Sequence, residues 1–133
     1  MLIILNGPLI PWKSHGGSGR KSFNPLYKER EQVQWQIKSQ NPLGIEMIKG
    51  PVRVDFTYYF QIPKSFSKVK RLKAIFGNIV PTVRPDGSNL NKFYEDCIKD
   101  FVIEDDSFIV ASSFEKRYAD KSSVVIKISR IEL

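Results

Sequence analysis

A chain of 133 residues has the length of one domain, enough to bury a core of its own. Its 41% hydrophobic and 26% charged residues exclude a disordered chain, and no stretch nears the roughly 20 apolar residues of a membrane helix. Lys and Arg number 21 against 14 Asp and Glu, net +7, which favours polyanionic partners; the single cysteine, Cys97, excludes an internal disulfide and a Cys-based zinc site within one chain, and suits a reducing cytoplasm.

The apolar opening Met1-Leu2-Ile3-Ile4-Leu5 stops at Asn6-Gly7-Pro8. That is too short for a signal-peptide core, so a soluble cytoplasmic protein is expected, with Leu2 to Leu5 as a short strand. Lys13 to Ser22 carries Gly16, Gly17 and Gly19 with Lys13, Arg20 and Lys21. It reads as a mobile basic loop, either an arm that embraces DNA or a plain flexible connection. Its Gly-Gly-Ser-Gly-Arg-Lys run lacks the spacing of a phosphate loop, and His15, the only histidine, offers little to a Ser-His-Asp arrangement. Asn24-Pro25 predicts a helix start, Asn as N-cap and Pro at the first helical position. Leu26, Arg30, Val33 and Ile37 then follow one helix face, which Pro42 and Gly44 close.

Val52 to Gln61 alternates strictly, with Val52, Val54, Phe56, Tyr58 and Phe60 on one side, and predicts a half-buried strand. From Lys64 to Arg84 there are six basic residues and no acid. Ser67 to Phe76 within it predicts a short helix whose Lys68, Lys70, Arg71 and Lys73 point around most of its circumference: either a solvated face or a phosphate-contacting one. A second main helix should begin at Ser88, with Leu90, Phe93, Tyr94, Cys97, Ile98 and Phe101 as its core stripe; Cys97 inside that stripe reads as core, not nucleophile. Two more strands, about Phe108 to Phe114 and Val124 to Ile131, are expected to pair as a hairpin around Tyr118 to Ser122. The order predicts a small single α+β domain over residues 1–133, a mixed sheet of about four strands with two main helices packed on one side.

The residues that suggest chemistry are Arg84-Pro85-Asp86-Gly87-Ser88-Asn89-Leu90-Asn91-Lys92 and, downstream, Glu104-Asp105-Asp106. From Glu95 to Asp106 there are six acids and one Lys, an acidic patch in a basic chain. A basic surround attracts phosphates, and an acidic centre can hold a divalent metal against them. Asp86 precedes the second helix, and Lys92, off the core stripe, leans back toward it. A chain returning from Asp105 or Asp106 would complete a site in which carboxylates hold Mg²⁺, the metal activates water, and Lys92 steadies charge on the phosphate. Equally, Asp86 could simply shape a turn, Lys92 pair with Asp96, and Glu104-Asp105-Asp106 form a polar turn.

The pattern resembles the RusA family of Holliday-junction resolvases of bacteria and their prophages, in which Pro-Asp-x-Asp-Asn-Leu-x-Lys opens a helix and an Asp-Asp pair follows it. Pro85 to Lys92 and Asp105-Asp106-Ser107 occupy those places. Asn6-Gly7-Pro8 with Pro11, Phe23-Asn24-Pro25, and Ile62-Pro63-Lys64-Ser65-Phe66-Ser67-Lys68 resemble further family segments in the same order. The resemblance implies a homodimeric, Mg²⁺-dependent endonuclease (Mn²⁺ as a substitute) that nicks branched DNA symmetrically. It further implies Asp86 and Asp106 as metal-binding carboxylates, Lys92 as the catalytic lysine, and Asp105 as the alternative acid. Lys13, Arg20, Lys21, Lys64, Lys68, Lys70, Arg71, Lys73 and Arg84 would contact DNA. The family's second motif Asp is Ser88 here, which caps a helix but brings no charge. Ser88 then holds a metal-bound water beside sufficient other acids, or marks a weakened enzyme, or marks a protein that keeps junction binding without cutting. A single-strand binding module using Tyr59, Trp12 and Trp35 as stacking platforms is a third class of reading.

Overall fold

The computed structural model describes residues 1–13 and 26–132. The expected loop glycines, Arg20, Lys21 and the Asn24-Pro25 helix start lie outside the described residues. Those described form β1 (Leu2–Asn6), α1 (Tyr27–Ser39), β2 (Val52–Gln61), α2 (Lys68–Ile75), α3 (Gly87–Ile98), a 3-10 turn (Asp106–Phe108), β3 (Ile109–Ala119) and β4 (Ser123–Arg130).

The sheet is built on β2, whose alternation buries Val52, Val54, Phe56, Tyr58 and Phe60 as expected. Strand order is β1-β4-β2-β3, with β1 and β2 antiparallel to β4 and β3 parallel to β2. The sheet is therefore mixed, as the composition of elements predicted. Ile3 and Leu5 of β1 and Val124, Ile126 and Ile128 of β4 join the buried side of β2. Val33 and Ile37 of α1 and Leu90, Phe93, Tyr94, Cys97 and Ile98 of α3 complete the same core. Each such side chain contributes about 1.5–3 kcal/mol when fully buried. Cys97 is buried, and burial pushes its thiol well above the ordinary thiol range, in keeping with a core role.

The expected β3–β4 hairpin is not formed. The two strands are consecutive, but β2 lies between them, each pairing with β2 from opposite sides. Asp120 to Ser122 carries the chain around the end of β2, where Ile62 N–H donates to Ala119 O (2.9 Å) and Gln61 N–H to Ser122 Oγ (3.3 Å). The physical reason is burial. The alternating Val124, Ile126 and Ile128 make β4 an interior strand, whereas Ser112, Ser113, Glu115 and Arg117 of β3 are all exposed, as befits an edge.

Parallel pairing of β2 and β3 demands a long crossover. Residues 62–108 supply it, carrying α2 and α3, and both helices contact β3. At the opposite edge, the amides of Gln40, the C-cap of α1, and of Gln36 within it each both donate to and accept from the β1 backbone, at Ile4 and Asn6. Side-chain amides thus stand in for a further strand on that edge.

Candidate active site

The motif turn enters α3 through a cis Arg84–Pro85 bond. Asp86 is the N-cap by backbone conformation, yet its carboxylate makes no capping bond; only its carbonyl accepts, from Leu90 N–H at 3.1 Å. Among the described residues the exposed Asp86 carboxylate has no hydrogen bond or ion pair, which leaves both oxygens open to a ligand. Gly87, one residue ahead of the expected helix start, is buried against β3. A Cβ there would lie 2.1 Å from the Phe114 ring, so the absence of a side chain lets the helix entry seat on the edge strand.

Beyond the entry, Ser88, Lys92 and Glu95 recur at i, i+4 and i+7 and share the side of α3 away from the core stripe. Ser88 and Lys92 are exposed and Glu95 half-buried. This stripe spans about 10 Å at the helical rise per residue. The alternative pairing of Lys92 with Asp96 is not formed; the Lys92 ammonium instead lies 5.1 Å from the centroid of the Trp12 ring. Asn91, the other polar motif residue of this turn, accepts from the buried Tyr58 hydroxyl of β2 and so fixes the rotation of α3 on the sheet.

The downstream acids divide by role. Glu104 accepts from Gly50 N–H (3.2 Å) and approaches Lys49 Nζ at 3.7 Å, tying the crossover to the start of β2. Asp105 caps the 3-10 turn, accepting from the Ser107 hydroxyl (2.6 Å) and N–H (3.2 Å), and these bonds hold its carboxyl below the ordinary range. Asp106 is exposed, and its charge is felt by Glu95 of α3. Burial first, then Asp106 and Asp96, raise the Glu95 carboxyl above its usual value. Sequence reasoning passed over Glu95. Its signal was there in the spacing, three residues past Lys92 and seven past Ser88, but no spacing rule brings Asp106 to it.

The basic side chains cluster around β3. Lys64, Lys68, Lys73 and Arg84 are exposed and unpaired among the described residues; Lys70 lies 4.2 Å from the Phe66 ring centroid, and Arg71 donates to Pro63 O (3.4 Å). Phe66 packs edge-on against Tyr118 of β3, and Lys116 Nζ donates to Val83 O at 2.6 Å, which fastens the segment ahead of the motif to the same strand. Lys13 is exposed directly after Trp12.

Among the described residues no three His, Cys, Asp or Glu side chains form a metal-holding group. The unbonded carboxylate of Asp86 nonetheless fits a hard cation such as Mg²⁺, which is commonly bound through one or two carboxylates plus waters and substrate phosphates rather than an all-protein cage.

Fold and site together define a small α+β protein in which one helix carries an open carboxylate at its entry, an unpaired lysine on its flank and acids beyond. Residues 18–129 match the family described as Endodeoxyribonuclease RusA, and the chain belongs to that family. Over 87 residues it is 34% identical to the uncharacterized protein YqaN of Bacillus subtilis strain 168, a match covering 64% of this chain and 61% of that protein. It thus spans less than two thirds of that relative's length.

Proposed function

We propose that the protein is a structure-selective endodeoxyribonuclease that nicks Holliday junctions or related branched DNA, working as a homodimer with Mg²⁺ or Mn²⁺. The membership of residues 18–129 in the RusA family carries this reading. It is supported by the unbonded Asp86 carboxylate and the unpaired Lys92 on a single helix. Asp86 and Asp106 would hold the metal, and the charge of Asp106 also acts on Glu95 of α3. A divalent ion bound there would supply a Lewis acid and an activated water.

The chain's own contribution is orientation and charge. The uncapped entry of α3 presents backbone N–H groups at the positive end of its dipole, suited to a backbone phosphate. Lys92 offers three N–H donors to phosphate or leaving oxygen. The cations of α2 and Arg84 draw the duplex arms toward β3 through counterion release. A bacterial cytoplasm, with a phage or prophage source, is the setting that fits.

A second reading rests on Ser88. It is exposed and neutral where the family carries an acid, and favours a weakened enzyme or a protein that binds junctions without cutting. A synthetic mobile four-way junction with Mg²⁺ or Mn²⁺ separates the two. Paired nicks are expected from the wild type, reduced about 10²–10³-fold by Lys92→Ala or Asp106→Asn and accelerated by Ser88→Asp. Tight binding without nicks would leave the binding reading standing, and cutting restored by Ser88→Asp would place the loss at that residue.

A further inference from the structure

We propose that Trp12 is a positioning residue for Lys92, holding its ammonium over the indole face so that it meets a phosphate with charge and donors uncommitted. This inference rests on the reading of Lys92 as the residue that contacts the scissile phosphate.

Trp12 is anchored independently of Lys92. Its backbone N–H donates to Asn89 O within the motif (2.9 Å), and two residues earlier Ile10 N–H donates to the hydroxyl of the buried Tyr94 (3.2 Å). Its ring packs, partly buried, against the main core. The segment after β1 is therefore laid along α3, and its tryptophan ends 5.1 Å from Lys92 Nζ. Nothing else holds that ammonium: among the described residues Lys92 has no ion pair or side-chain hydrogen bond. The acid one turn along, Asp96, does not pair with it.

The choice of partner matters chemically. A carboxylate would fix Lys92 by consuming a donor and neutralising the charge that a phosphate needs. An aromatic face attracts the cation through its quadrupole and takes no N–H in a conventional hydrogen bond. It restrains a long, rotamer-rich side chain while leaving three donors for phosphate oxygens. Part of the entropic cost of ordering Lys92 is thus met before substrate arrives.

Two measurements test this, one of them without DNA. The ring current of an aromatic side chain at position 12 should shift the Lys92 ε-methylene protons upfield in wild type and, less strongly, in Trp12→Phe, and not in Trp12→Leu, with Lys92→Ala assigning the resonance. On a four-way junction, Trp12→Leu should lower kcat about 2–5-fold with KM unchanged, the scale of an exposed cation–π contact, while Trp12→Phe restores most of the rate. In a Lys92→Ala background Trp12→Leu should cost nothing more. Thermal melts of both tryptophan variants check folding. An unshifted Lys92 resonance in wild type, Trp12→Leu matching wild type in rate, or full additivity with Lys92→Ala each overturns the proposal. If wild type nicks no junction, the nuclease reading falls; the resonance position still decides whether Trp12 holds the ammonium.

Discussion

Glu95 shows how a single side chain registers its surroundings. It is half-buried on α3, and burial, followed by the charges of Asp106 and Asp96, raises its carboxyl above the ordinary 4.5. An acid raised in the folded state binds its proton more tightly folded than unfolded. Stability is then lost as pH climbs from the ordinary value through the raised one. Glu95→Gln should therefore melt above the wild type at neutral pH, with the difference closing well below 4.5. Thermal melts at the two pH values check it, and an offset independent of pH would show that the Glu95 carboxyl is not raised in the folded state.

The seating of α3 on β3 turns on Gly87, whose missing Cβ makes room for the Phe114 ring. Alanine is the better helix former by about 1 kcal/mol in a helix interior, so propensity alone predicts a gain from Gly87→Ala. Contact predicts a loss, because the added methyl lies 2.1 Å from the ring. We expect the contact to win in the native background, lowering Tm by a few degrees, on the order of 1 kcal/mol. In Phe114→Ala the obstruction is gone, and Gly87→Ala should become neutral or stabilising. A double-mutant cycle with a coupling of about 0.5–3 kcal/mol would establish this; strict additivity would refute it. Because Asp86 precedes Gly87, the same strain in Gly87→Ala should appear as reduced junction cleavage. Asn91, one turn further along the same face, secures the helix through the Tyr58 hydroxyl, so two of the motif's residues serve placement rather than chemistry.

For the whole molecule, the two sheet edges are treated differently. Side-chain amides of α1 occupy β1, while β3 carries the basic helix and the motif. On the proposed function, the described residues of one chain offer one site, and a four-way junction is two-fold symmetric. Paired nicks therefore require two copies in a closed, isologous arrangement. Sedimentation at micromolar concentration is expected to report twice the mass of one chain, and a monomer that still makes paired nicks would overturn the dimeric part of the proposal.

The sequence determined whatever depends on neighbours along the chain. The alternation of β2 and the core stripe of α3 were legible because residues 2, 3 and 4 apart share a face, and the short basic helix and the motif turn because their residue types mark them locally. Fold class followed from those elements and their order, and the family resemblance from the motif residues Pro85 to Lys92 and Asp105-Asp106-Ser107. Tertiary structure decided what depends on distant segments meeting: that β2 separates β3 from β4, that Glu104 is spent on the start of β2 while the charge of Asp106 acts on Glu95, and that Trp12 reaches Lys92. Strand partners are chosen by how much apolar surface each pairing buries over the whole chain, and charges act through space. Neither quantity has a period that a linear sequence can display.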